Sequence, residues 1–440
     1  MDIFANRLTI KSFLKLIAPA TISLVFISSY TIVDGLFVGN FLGENALASV
    51  NIIFPLLNII FGFSVMFGSG GSALVGILMG GDKIKEAREG FSLITAVGLV
   101  TGVALTIFFI AIMEHLVIWL GASPVLFKDC YEYGIIIALT APFIIQNDIL
   151  EIFLRTDGKA IYSLWLAFLA GILNIFFDYL FIVELKMGLA GSAWALAISF
   201  AIPCLISTVY FFLKKTNLYF VKPVWRLGVI WQTCYNGMSE MVTRLSSGFV
   251  TFLFNLMTMR YLGEAGVAAI SIILYIHFLM ISIYLGFSFG CSPLISYNFG
   301  AGNKAQLKTA INYSGKFLFV SAMIVFTSAM FFAPYIVSAF VDKSTHVFEI
   351  ATNGLRFYAI SFLFIGFNIF ISAMFTAFAN GRISAIIAAT HSFVFVSIGI
   401  VVLPWLFGTN GIWLTVPVAE VLTLCLSYYC FKQYKNVYGY

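Results

Sequence analysis

Long apolar runs separated by short polar breaks dominate the chain. The run Val100-Thr-Gly-Val-Ala-Leu-Thr-Ile-Phe-Phe-Ile-Ala-Ile-Met113 carries no charge. About 20 apolar residues take a helix across a bilayer, whereas the strands of a membrane barrel are short and alternate in polarity. Hydropathy and breaker residues divide the sequence into twelve such segments, at 14–38, 46–79, 90–113, 133–154, 160–183, 189–213, 232–260, 266–290, 309–333, 350–378, 383–407 and 411–431. Several exceed the hydrocarbon thickness, which predicts tilt, bending or extension into the headgroups. The expected fold class is an all-α membrane protein of twelve transmembrane helices.

Composition agrees. The chain is 61% hydrophobic and 10% charged, against about 25% charged in a soluble domain. The short polar stretch Met1 to Lys11 leads into the first run without a small-residue cleavage site, so that run reads as a retained helix. Cys130, Cys204, Cys234, Cys291, Cys425 and Cys430 lie mostly in apolar segments and form no metal-type spacing. They read as packing residues.

The net charge of +5 is distributed unevenly. The termini and even-numbered loops hold eighteen of the twenty-four Lys and Arg, among them Lys83, Lys85, Arg88, Lys214, Lys215, Lys222, Arg226, Lys304 and Lys308. Only Lys128, Lys186, Arg260 and Lys343 fall at the odd loops and nearby helix ends. The positive-inside rule predicts that both termini are cytoplasmic, as an even number of spans requires. The basic balance is thus topological, and no nucleic-acid partner is expected.

Residues 40–80 align without gaps on 260–300, with Leu42-Gly-Glu44 matching Leu262-Gly-Glu264, Gly70 matching Gly290 and Gly80 matching Gly300. Both copies run in the same direction, which predicts two parallel six-helix lobes related by an axis along the membrane normal. The expected organisation is an N-terminal lobe at 1–213 with a cation site, a cytoplasmic linker at 214–231 and a C-terminal lobe at 232–440. Two pseudo-symmetric lobes around a cavity suit alternating access.

Charges inside lipid are expensive and mark function. Asp34 and Asp178 lie five and six residues before Gly39 and Glu184, the ends of helices 1 and 5. At about 1.5 Å per residue both sit roughly 7–9 Å below those ends. Asn174 falls one turn deeper on the face of Asp178. Two carboxylates and a carboxamide at one depth can bind Na⁺ through hard oxygens, or share a proton. At the repeat offsets Asp34 maps to Phe254 and Asp178 to Val401, so the site belongs to the N-terminal lobe alone. Glu240 and Arg244, spaced i,i+4, read either as an internal ion pair or as groups facing the central cavity, where Glu240 would attract cations. Glu420 has no such neighbour in sequence. Asn147 and Asn368 are further cavity candidates, and His277 and His391 read as packed, hydrogen-bonded residues. Gly68-Ser-Gly-Gly-Ser72 lacks the Gly-Lys-Ser/Thr ending of a phosphate loop and reads as a packing segment. Without a nucleotide site, an ion gradient or a partner must supply the energy.

In order along the chain stand Val33-Asp-Gly-Leu-Phe-Val-Gly39, Leu42-Gly-Glu-Asn-Ala-Leu-Ala48, Gly68-Ser-Gly-Gly-Ser-Ala73, Leu154-Arg-Thr-Asp-Gly158, Asn174-Ile-Phe-Phe-Asp-Tyr-Leu-Phe-Ile182, Gly237-Met-Ser-Glu240 and Tyr297-Asn-Phe-Gly-Ala-Gly302. Together they resemble the multidrug and toxic compound extrusion (MATE) family, in its prokaryotic multidrug-export branch, over essentially the whole chain. The resemblance implies an antiporter that exchanges H⁺ or Na⁺ for amphipathic, often cationic drugs. It implies coupling at Asp34, Asn174 and Asp178, with a helix-6 Thr as a further oxygen. Here Leu196 holds that Thr position, which favours protons over Na⁺. A second branch carries an Asp on helix 10, where this chain has Asn368.

The expectation is therefore a monomeric, multi-pass protein of the cell inner membrane that exports small amphipathic molecules. It would use a coupling cation and no cofactor, and would have no enzymatic activity. The alternative within the superfamily is a lipid-linked oligosaccharide flippase, which calls for a more basic cavity than Arg244 and Arg356 provide. An intramembrane prenyl transferase would need paired Asp-rich motifs that the chain lacks.

Overall fold

The computed structural model describes residue 4 and residues 7–214 and 216–440; most of residues 1–6, and Lys215 of the linker, lie outside the described residues. Among those described there is no strand. The helices are α1 (Ile10–Phe37), α2 (Glu44–Gly80), α3 (Ile84–Trp119), α4 (Phe127–Thr156), α5 (Ala160–Asp178) and α6 (Leu189–Phe212). The helical stretch Leu227–Gly300 reverses at Gly263, whose φ of 64° and ψ of −158° are not helical. It therefore forms two spans, α7 (227–262) and α8 (264–300). The remainder are α9 (Lys304–Phe331), α10 (His346–Ala377), α11 (Gly381–Phe407) and α12 (Thr409–Tyr438). Among the described residues eleven helical stretches are long and apolar enough to cross a membrane, and dividing the longest at Gly263 makes twelve helices. They match the expected spans apart from their ends.

Local chemistry explains the boundaries. Thr9 caps α1 reciprocally with Ser12: the Ser12 N–H donates to Thr9 Oγ1 at 3.2 Å and the Thr9 N–H to Ser12 Oγ at 2.8 Å. Gly43 and Gly263, the glycines of the repeated Leu-Gly-Glu, hold φ of 87° and 64°. Side chains with a Cβ avoid that region, so the repeat preserves a turn that glycine makes possible. Gly188 and Gly408 do the same before α6 and α12, with φ of 64° and 60°. The six-helix repeat is thus a repeat of turns as well as of sequence.

Buried apolar side chains form two cores. One lies within residues 38–218 and includes Ile53, Phe91, Ile145 and Phe153. The other lies mainly in residues 254–440, around Ile273, Tyr284, Phe362 and Trp413, and also takes in Phe13, Leu16 and Ile17 from the start of α1. Helix α1 thus joins the two lobes. Between the lobes, glycines allow backbone to approach backbone. A Cβ on Gly70 would strike the Thr233 carbonyl and Gly237, one on Gly80 the Tyr297 carbonyl, and one on Gly286 or Gly290 the start of α1 at Thr21, Ala20 or Ile17. These contacts lie at the end of the bundle that carries most of the Lys and Arg. The segment Gly68 to Ser72 is buried throughout, with Gly68 against Ile152 and Gly71 against Ile94, which is the packing role expected of it.

The linker after α6 lies across the basic ends of α3 and α4. Arg88 Nε donates to the Asn217 carbonyl at 2.7 Å, and its guanidinium lies 4.0 Å from the Tyr219 ring centre. The Val221 N–H donates to Ser92 Oγ at 2.9 Å, the Leu218 N–H donates to Asp157 Oδ1 at 3.1 Å, and Arg226 pairs with Glu89 at 3.0 Å.

Candidate functional site

Asp34 lies near the end of α1, just before the helix widens into a π-helical turn at Val38–Leu42. Asp178 ends α5 and is followed by a second π turn, Tyr179–Glu184. Such turns break the i→i−4 ladder and recur at functional sites. The two turns adjoin each other and α6. This brings the Asp34 carboxyl close to the Asp178 carboxyl and to the Ser192 hydroxyl on α6. Asn174 and Asp178 are fully buried. Both Asp178 oxygens, both Asn174 amide atoms and Asp34 Oδ1 have no hydrogen-bond partner among the described residues. Two carboxylates only accept, so their contact closes with a proton or a cation between them. Leaving such groups unpaired in the interior is expensive, and Asp34, Asp178 and Ser192 come together here with Asn174 one turn below Asp178. The donor set suits a proton or a hard monovalent cation.

Ser192 is the residue that sequence reasoning missed. It lies one turn before Leu196, the position where an oxygen was expected. The Leu196 carbonyl is already used, accepting from Ser199 Oγ at 2.7 Å. The periodicity of α6 was the available signal: i−4 from Leu196 falls on the same face.

Deeper in the N-terminal lobe lies a second polar group. Ser64 Oγ of α2 donates to Asp148 Oδ2 of α4 at 2.5 Å. Arg155 Nη1 donates to Glu151 Oε1 at 2.9 Å, and Ser163 Oγ donates to the same oxygen at 3.2 Å. The buried Tyr30 lies near Asp34, Asp148 and Glu151 at once, between the two groups. Asn147 is nearly buried beside Asp148. Across the lobe boundary, Glu240 and Arg244 are half-buried on α7. Among the described residues no ion pair within 4 Å joins them, so the internal pair allowed by their spacing is not formed. Arg244 lies close enough to act electrostatically on both Glu240 and Asp148.

Asn368 is fully buried on α10. Its Nδ2 donates to Glu420 Oε2 at 2.7 Å and to the Glu420 carbonyl at 3.0 Å. Glu420, which had no neighbour in sequence, therefore has two in space, because His391 Nδ1 lies 2.7 Å from its Oε1. His277 is hydrogen-bonded as expected, its Nδ1 3.0 Å from the Tyr358 hydroxyl. The cysteines are all free, four of them buried in the packing.

The family model MatE matches residues 19–180 and 241–405, most of both lobes. The "Multidrug export protein MepA" of Staphylococcus haemolyticus is 26% identical over 441 residues, covering 98% of this chain and 95% of the relative. That of Staphylococcus saprophyticus is 26% identical over 430 residues, covering 96% and 93%. A solved structure described as the outward-facing conformation of a multidrug resistance MATE family transporter superposes with a TM-score of 0.93 at 22% identity, over 100% of this chain and 98% of that one. At that identity the superposition speaks for the fold. With both lobes matched in order and twelve spans in the same arrangement, this chain belongs to the MatE family.

Proposed function

We propose that this protein exports amphipathic, mainly cationic small molecules across the cell membrane by alternating access, driven by inward movement of protons at Asp34 and Asp178. The observation that carries this reading is the meeting of Asp34, Asp178 and Ser192, with Asn174 unpaired beside them, inside an otherwise apolar bundle. A proton closes the carboxylate–carboxylate contact, and its release separates two like charges. That difference in local energy can bias α1 and α5 between two arrangements at their π turns. Na⁺ is a weaker competitor for the same oxygens because Leu196 contributes none.

Glu240, Arg244 and Asn147 are the proposed substrate-side residues, whereas Asn368 is fully buried and hydrogen-bonded to Glu420. Glu240 is half-buried, and among the described residues no cation pairs with it within 4 Å, which suits attraction of a cationic substrate. The tight packing of α2 on α7 and α8, and of α1 on α8, lies at the basic end, which supports a substrate path that opens toward the opposite end. The distribution of Lys and Arg makes the basic end cytoplasmic, with both termini on that side. The names of the staphylococcal relatives support drugs as the substrate class.

The test is efflux of a fluorescent cation from vesicles holding the full chain, with Asp34→Asn and Asp178→Asn compared with the parent. Each variant is expected to insert normally and to lose gradient-driven efflux. Normal efflux by both would move coupling away from these acids.

A further inference from the structure

Where α5 begins and α6 ends, the surface of the N-terminal lobe is grooved. The groove holds about 320 Å³ between Tyr162 on the first turn of α5 and Leu205, Ile206, Val209, Tyr210 and Leu213 at the end of α6. The rings of Tyr162 and Tyr210 stack across it, with centres 4.7 Å apart and planes 26° apart. These two tyrosines and Ile206 pack against the buried core of the lobe. Leu205, Val209 and Leu213 form the outer side, each more than half exposed.

The same end of the lobe carries positive charge without an ion-pair partner. Lys159 stands immediately before α5, and its carbonyl accepts the Tyr162 N–H at 2.9 Å. Lys214 directly follows Leu213. Both lysines are exposed, and among the described residues neither makes an ion pair within 4 Å. Lys214 Nζ lies 5.8 Å from the Tyr219 ring centre, near the limit of a cation–π contact. Arg88, by contrast, is committed to the linker through the Asn217 carbonyl and the Tyr219 hydroxyl. Asp157 acts on Lys159 but is buried and accepts the Leu218 N–H. The groove is thus apolar along the bundle and basic at its end. The stacked pair is absent from the repeat. Matching Gly158 to Gly381 puts Ala385 at the place of Tyr162, and matching Gly191 to Gly411 puts Cys430 at that of Tyr210. A pair that served only to hold two helices together would be expected in both lobes.

We propose that this groove binds an anionic phospholipid, with one acyl chain lying on the tyrosine pair between α5 and α6 and the headgroup phosphate meeting Lys159 and Lys214. Small-molecule sites run from roughly 300 to 1,000 Å³. At about 320 Å³ the groove takes a length of one chain and not a whole lipid. Its position selects that occupant. It opens on the outside of an apolar bundle, where acyl chains are the surrounding medium, and it ends at exposed lysines, which attract anionic headgroups. Tyrosine, with an apolar ring and a polar tip, suits the level where chain meets headgroup. The lining comes from one lobe alone and includes none of Glu240, Arg244 and Asn147, so the groove is separate from the proposed substrate path. Helix α5 ends in Asp178 and α6 carries Ser192 near its start. A lipid that bridges the basic ends of these helices therefore holds together the pair that carries part of the carboxyl site at its other end. This reading does not depend on which ion or which drug is moved.

Native mass spectrometry of the full chain tests the site. The protein is held in detergent with equal amounts of phosphatidylglycerol and phosphatidylcholine of the same chain length. The parent should keep a phosphatidylglycerol under activation that strips phosphatidylcholine. Val209→Trp fills the groove from an exposed position and should lose that molecule. Ile172→Trp, exposed on α5 outside the groove, should keep it. Titration with phosphatidylglycerol should show binding weakened about fivefold by Lys159→Gln and by Lys214→Gln. Glycerol phosphate, which has the charge without the chain, should not displace the lipid. Equal retention of the two lipids by the parent, equal phosphatidylglycerol binding by the parent and Val209→Trp, or displacement by glycerol phosphate overturns the proposal. If Val209→Trp does not fold, unchanged binding by the variant carrying both lysine substitutions does so instead. Failure of drug efflux with lipid binding intact would count against the exchange and not against this site.

Discussion

Asp34 and Asp178 could be read from the sequence because carboxylates within apolar runs stand out against their surroundings. Ser192 could not, since a serine within a helix is commonplace, and only the packing of α6 against α1 and α5 turns it toward Asp34. The same limit hid the Glu420–His391 pair: its members lie on separate helices, and nothing local to either sequence points to the other. The missing oxygen at Leu196 leads to a test. Leu196→Thr places a hydroxyl one turn from Ser192 on the same face. Efflux by that variant at fixed pH should become more dependent on added Na⁺ than efflux by the parent. An unchanged response to Na⁺ would mean that α6 does not border the cation site.

Helix ends were the least legible part of the elements. The expected third span began at 90, whereas α3 begins at Ile84 and includes Lys85, Glu86, Arg88 and Glu89. Hydropathy registers the apolar length, and the charged turn continues the same helix beyond the lipid to hold the linker. That linker makes a pH-dependent contact. Burial beneath it pushes the Asp157 carboxyl from 3.8 up to about 6, outweighing the Leu218 N–H that favours the charged form. A carboxyl raised in the docked state favours docking while protonated. The stabilisation is complete below 3.8 and is lost as pH rises through about 6. Hydrogen exchange at Leu218, corrected for intrinsic rate, should therefore show less protection above this window than below it, and Asp157→Asn should flatten the change. A parent profile already flat would contradict this. Between the lobes, Gly70→Val should clash with Thr233 and Gly237 and cost about 1–3 kcal/mol by overpacking. Its melting temperature in detergent should fall, while Gly228→Ala, which meets nothing within 4 Å, should melt like the parent. Equal melting of all three would show that the α2–α7 contact does not hold the basic end closed.

The architecture of the whole molecule was the most legible, because the bilayer imposes it. Length and apolarity set the spans, and the repeated Leu-Gly-Glu places matching turns at Gly43 and Gly263. The excess of Lys and Arg at one end predicts that a reporter fused after Tyr440 reads as cytoplasmic. An external reading would invert the proposed direction of transport. Direction and coupling together are tested most directly by following a fluorescent cation in Na⁺-free proteoliposomes with an imposed pH gradient. Efflux driven by the pH gradient alone, abolished by Asp34→Asn, is the predicted result. No efflux under that gradient, with full activity restored by a Na⁺ gradient at equal pH, would contradict proton coupling at Asp34 and Asp178.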